Sequence, residues 1–173
     1  MYGSTMAHGS LSTVLAIGLL VGAPSTGNAD TPSDAPPSPY PDQALIVTSY
    51  DHLEPSQFFT ASTAGVWFLS PLGLSCGIWD RGSFGCTGDI RGAPPGTNHI
   101  GWVNGNIVTR YDQYDPLLPF QFPAAQAERT LPTRSYVTYN GTTCATMADT
   151  STYCARGPFK FFITPTHTWL SPP

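Results

Sequence analysis

Short apolar runs, rich in aromatic and β-branched residues, alternate along this chain with turn-forming Gly, Pro and Asn. That rhythm predicts strands rather than helices. In IVTSYDHLEP (residues 46–55), Ile46, Thr48 and Tyr50 alternate with Val47, Ser49 and Asp51, and Pro55 closes the segment. VWFL (66–69) is apolar throughout, which predicts a central strand, and residues 136–139 are its counterpart. Asn140-Gly141 asks for a two-residue hairpin. Asn104-Gly105 asks for another, pairing the strand that ends at Trp102 with the strand that begins at Ile107.

The order of these features occurs twice. IVTSYDHLEP returns as IVTRYDQYDP (107–116), with six of ten positions identical. Gly73 and Gly141 each stand three residues before a Cys, and Cys76/Cys86 and Cys144/Cys154 each enclose nine residues. His99 and His167 each follow the first Cys of a pair by twenty-three residues, with Trp102 and Trp169 close behind. The second stretch is seven residues longer between its Pro and its Gly, which places an insertion near residues 117–129. The pattern is that of an internal duplication, with copies at about 44–104 and 105–171. The expected fold is all-β: antiparallel strands forming one pseudo-twofold sandwich or barrel-like domain.

Hairpin geometry accounts for the cysteines. With Asp80-Arg81-Gly82 as a three-residue loop and Gly82 left-handed, Trp79 faces Ser83 and Cys76 faces Cys86, close enough for a bridge. Of the three connectivities that four Cys allow, Cys76–Cys86 with Cys144–Cys154 closes two local loops and respects the repeat. The second loop carries Thr150 where the first carries Gly82, so its shape must differ. Zinc would ask for closer C-x2-C pairs, which are absent.

The amino end adds compartment. An apolar run at 11–23, followed by small and polar residues, has the length of a signal peptide and is short for a bilayer span. Residues 1–29 are therefore expected to be removed on export, though no Lys or Arg precedes the run. Residues 30–43 begin with five prolines in twelve positions and read as a disordered lead-in to a single domain at 44–173. Nothing in the mature chain spans a membrane. Net charge is −4 with one Lys and scattered Arg, which excludes a basic track for nucleic acid.

Candidate chemistry is sparse. GLSCG (73–77) matches the G-x-S-x-G of serine hydrolases, but Ser75 precedes a bridging Cys within a strand and no helix follows. The repeated carboxylates Asp51 and Glu54, with Asp112 and Asp115, would make a cation site or an acid–base pair if the two copies brought them together. More simply, Asp51 and Asp112 begin turns. Tyr50 and Tyr111 accompany them as core-edge aromatics. Phe120 and Phe122 lie in the insertion, where they would form an exposed contact patch. No cofactor or metal is expected, and His99 and His167 lack a third ligand at suitable spacing.

GVWFLSPLGLSCGIWDRGSFGC, followed by RGAPPGTNHIGWV, resembles small exported disulfide-containing proteins of mycobacteria and related actinobacteria. The resemblance covers residues 66–103 well and the second Cys pair more loosely. It implies an envelope or culture-fluid location and carries no catalytic or binding residue. The sequence thus points to a secreted or envelope β domain, a non-catalytic module binding an envelope component or a partner protein. The alternatives are a small hydrolase using the paired carboxylates and a structural subunit of a larger envelope complex.

Overall fold

Turn chemistry sets the strands. The computed structural model describes residues 37–103, 110–112, 122–124 and 126–171, with side chains for all of these but 110–112. The leader, residues 30–36, the Asn104-Gly105 turn, Asp115 and Phe120 lie outside them.

The first half provides β1 (Asp51–His52), β2 (Val66–Leu69), β3 (Ser75–Trp79), β4 (Ser83–Thr87) and β5 (Thr97–Trp102). The second provides β6 (Arg110–Asp112), β7 (Ser135–Tyr139), β8 (Thr142–Thr146), β9 (Thr152–Arg156), β10 (Phe159–Ile163) and β11 (Thr168–Ser171). Among the described residues they form two sheets, in the orders β2-β3-β4-β5-β6 and β1-β7-β8-β9-β10-β11. The all-β expectation holds. Each half lends one strand to the sheet built by the other: β1 pairs in parallel with β7, and β6 pairs antiparallel with β5.

Two turns form as their residues ask, and a third differs from its counterpart. Trp79 faces Ser83 across a loop in which Gly82 (φ 82°) and Arg81 (φ 53°) are both left-handed. Tyr139 faces Thr142 across Asn140 and Gly141, at φ 47° and 80°, the two positive values that a type I′ turn requires. Between β8 and β9 the loop is longer, and Thr150 takes the positive φ of 73°. Both disulfides follow. Cys76 faces Cys86 with Cα atoms 4.0 Å apart, and Cys144 faces Cys154 at 4.1 Å.

Strand alternation sends Val66, Phe68, Cys76, Ile78, Phe84, Cys86, Ile100 and Trp102 inward from the five-stranded sheet. They meet Val137, Cys144, Cys154, Phe161 and Ile163 from the other in one buried core. Phe84 and Phe161 touch across the gap, ring centroids 5.6 Å apart.

Several expectations are corrected. IVTSY is not a strand: Gln43–Ser49 form helix α1. Asp42 caps it, its Oδ1 accepting from the Ala44 N–H at 2.8 Å, and Thr48 Oγ1 donates back to the Ala44 carbonyl at 2.9 Å. Ile46, 1 % exposed, is buried against Tyr136, Ala145, Tyr153 and Ala155 on the outer face of the six-stranded sheet. The Pro-rich lead-in is ordered at its end, where Tyr40 packs beneath Lys160, whose Nζ lies 4.5 Å from the ring centroid. VWFL is an edge strand, not a central one. It is buried on both faces and its free edge is bridged by residues 129–131, Leu69 N–H donating to the Arg129 carbonyl at 2.8 Å.

The halves correspond over β2–β3–β4 and β7–β8–β9, both antiparallel meanders with facing cysteines. Beyond them the elements differ. His99 lies on β5, directly beside β4, whereas His167 lies in the turn between β10 and β11.

Candidate ligand-binding site

The core does not close at one end of the sandwich. Phe84 and Trp102 from one sheet, and Arg156 and Phe159 from the other, border a basin of about 260 Å³, completed by Gly82, Gly157 and Pro158. Register explains the lining. Cys154 points inward, so Arg156, two residues on, also takes an inward position, at the mouth. Arg156 faces Phe159 across a two-residue turn whose first residue, Gly157, has φ 59°; Pro158 follows. Trp102 and Phe159 are in contact with each other in the basin's lining, 4.7 Å between centroids and tilted by 46°. Trp102 is 3 % exposed, and its indole N–H finds no acceptor among the described residues.

Glycine at position 82 is a steric necessity. A Cβ there would stand 2.5 Å from the Asn140 carbonyl oxygen and 3.1 Å from Arg156 Nε. The Gly82 carbonyl instead accepts from Thr142 Oγ1 at 2.6 Å, which ties the two hairpin tips together. The exposed Arg156 side chain lies along these tips, with no acidic partner among the described residues. Arg81 nearby has Asp80 at 4.0 Å.

A second aromatic assembly covers the outer face of the five-stranded sheet. Gly77, Gly85 and Gly101 stand in one row across β3, β4 and β5. A Cβ at Gly77 would collide with the Trp67 ring, and one at Gly85 would come within 2.5 Å of Phe122. Trp67 and Trp79 stack at 5.6 Å, and Phe122 and His99 continue the series at 5.3 and 5.5 Å. The His99 ring holds Asn98 Oδ1 at 2.6 Å through Nδ1 and Thr87 Oγ1 at 3.0 Å through Nε2, and burial keeps its pKa below the ordinary 6.5. This face is filled by the protein's own rings.

Among the described residues, those singled out from sequence are not brought together. Asp51 and Glu54 are exposed; Asp51 lies in β1 rather than at the start of a turn, and Asp112 ends β6, beyond which the residues are not described. β1 flanks β7, and the short 3-10 helix Pro55–Phe58 touches both β7 and β2; β6 flanks β5, which lies against β10. The two Tyr-Asp segments therefore occupy opposite edges of the sandwich. Asp115 lies outside the described residues, as do the side chains of Tyr111 and Asp112. Tyr50 is half-buried beside α1. Phe122 is buried, 7 % exposed, rather than part of an exposed patch, because the glycine row leaves a slot for its ring. Large apolar side chains that are exposed include Leu45, Val47 and Phe59. Among the described residues, no group of three or more His, Cys, Asp or Glu is placed to hold a metal ion, and no helix is long and apolar enough to cross a membrane.

No protein-family model, curated protein or solved structure matches the chain. A signal for the basin is present in the sequence. Once Cys154 is turned inward, parity puts Arg156 on the core side, where a charged residue has no place unless the core opens there.

Proposed function

We propose that the mature chain is an exported, non-catalytic binding module of the cell envelope or the extracellular medium, holding its ligand in the basin at the open end of the sandwich. The observation that carries this reading is the basin itself: three aromatic side chains line a solvent-open space of about 260 Å³ at the end of the sandwich. Interiors are close-packed, and concave apolar sites with few polar groups are where small ligands bind. Export is supported by the signal-like leader, by the likeness to exported actinobacterial proteins, and by two disulfides, which persist in oxidising compartments. The hydrolase alternative draws no support from Asp51 and Asp112, whose strands lie at opposite edges.

The test is NMR of the isotope-labelled mature chain mixed with an extract of its own envelope. Shifts of the Trp102 indole and Gly157 amide signals, with the Trp67 and Trp79 indoles unmoved, are the expected result. An extract that moves no signal, or only signals of the outer faces, overturns the reading.

A further inference from the structure

The chemistry around the basin narrows its ligand. We infer that it takes a small aryl-bearing carboxylate, the ring packed on the basin's aromatic lining and the carboxylate on the Arg156 guanidinium; this rests on the binding reading above.

Size comes first. An apolar cavity of roughly 150 Å³ is enough for benzene, so about 260 Å³ has room for one ring and a short arm. Shape comes next. Phe84, Trp102 and Phe159 line the basin; Trp102 and Phe159 are already in contact, 4.7 Å between centroids, so a ligand ring packs against this pair rather than between its members. A third ring packed against the pair meets it offset-stacked or edge-on, both favoured arrangements.

Charge selects the head group. Among the described residues, Arg156 is the one charged residue in the lining and no carboxylate borders the basin. The guanidinium projects from an inward-facing position at the end of β9, so its fork stands where the apolar wall meets water. Its Nε lies beside the hairpin tips: a Cβ built at Gly82 would stand 3.1 Å from it and one at Gly141 3.9 Å. A planar fork at the rim suits bidentate pairing with a carboxylate. Merely covering apolar surface with its stem, as long charged side chains often do, would not require the space beneath to be empty.

A carboxylate of this kind is carried by a free aryl acid or by a peptide chain ending in Phe. The experiment titrates the mature chain with hydrocinnamate, with its neutral amide, and with the tripeptide Ala-Ala-Phe bearing a free carboxyl end. The Trp102 indole and Gly157 amide signals are followed. Hydrocinnamate should move both and bind on the order of tenfold to a hundredfold more tightly than the amide, the range of a charge-assisted contact. Arg156→Gln should lower its affinity to that of the amide, and Arg156→Lys should restore only part of it. A tripeptide as tight as hydrocinnamate assigns the carboxylate to chain ends; one that fails assigns it to free acids. Equal binding of acid and amide, or an Arg156→Gln variant that holds the acid undiminished, overturns the anionic ligand and leaves the basin a binding site. Silence from every probe while the envelope extract still moves Trp102 overturns the ligand class alone. Silence from both overturns the binding reading with it.

Discussion

At the scale of single residues, the outer face of the five-stranded sheet shows how small side chains and large ones are matched. Gly77, Gly85 and Gly101 sit in Cys-Gly-Ile, Phe-Gly-Cys and Ile-Gly-Trp, each between two inward-facing apolar residues. Parity alone puts all three on the opposite face, so this floor was legible in the sequence. Its cover was not, because Phe122 arrives from a distant part of the chain. His99 ends the same aromatic series and makes a pH prediction. Asn98 Oδ1 accepts from Nδ1–H, which leaves Nε2 as acceptor for the Thr87 hydroxyl; both contacts suit the neutral ring. The folded-state pKa is below the ordinary 6.5 because burial penalises the cation. Between those two values the unfolded chain binds more protons than the folded one, so this group's stability contribution is present above about 6.5 and falls as pH drops toward the folded pKa. Urea midpoints measured from neutral to mildly acidic pH should decline less steeply for His99→Gln than for the parent chain. Parallel curves would mean that His99 is not so coupled.

Elements show where reading the sequence works and where two periods collide. The turns at Asn140-Gly141 and Gly82 are legible in the sequence, since these residues fix local backbone conformation regardless of the rest of the molecule. The stretch 46–50 was misread. Ile46 and Tyr50 share a face in a strand and also in a helix, because a spacing of four is a multiple of two and close to 3.6. Five residues cannot separate those periods. The cap decides it: Asp42 offers a side-chain acceptor to the first turn, and Ile46 anchors the helix on Tyr136 and Tyr153. In the second half β6 includes Tyr111 and Asp112, counterparts of helix-capping Tyr50 and of Asp51, and zips along β5. Among the described residues of the two words, Tyr50 closes α1 where Tyr111 lies in a strand, while Asp51 and Asp112 are both strand residues. At seven residues α1 is too short to persist unaided, so Asp42→Ala should cost about 1 kcal/mol. Hydrogen exchange gives the sharper check. The Ile46 and Tyr50 amides, which donate to the Asp42 and Ile46 carbonyls at 3.1 and 3.0 Å, should exchange faster in the variant while Cys144 and Cys154 amides keep their protection relative to global stability. Unchanged rates at Ile46 and Tyr50 would show that packing alone holds α1.

For the whole molecule, the repeat in the sequence suggests two units, whereas the sheets describe one. β1 leaves the first half to edge the sheet of the second, and β6 does the reverse. The inner faces of the two sheets form a single apolar cluster. Each disulfide closes within one hairpin, so neither links the sheets; cohesion between them rests on burial. Expressed alone, residues 44–104 would expose Phe68, Ile78, Phe84 and Ile100 to water, with β1 deprived of its partner. Residues 105–171 would expose Val137, Phe161 and Ile163 in the same way. Each half is also near the length at which a chain buries too little surface to fold unaided. Separately expressed halves should therefore give collapsed amide dispersion in NMR spectra even with their disulfides formed, and mixing them should restore part of the native spectrum. The full mature chain should unfold in one transition, with Trp fluorescence and far-ultraviolet circular dichroism coinciding. A half that folds by itself, or two resolved transitions in the intact chain, would return the molecule to a pair of autonomous repeats. The basin would then lose its basis as well, because its walls come from both sheets and exist only while the two are held face to face.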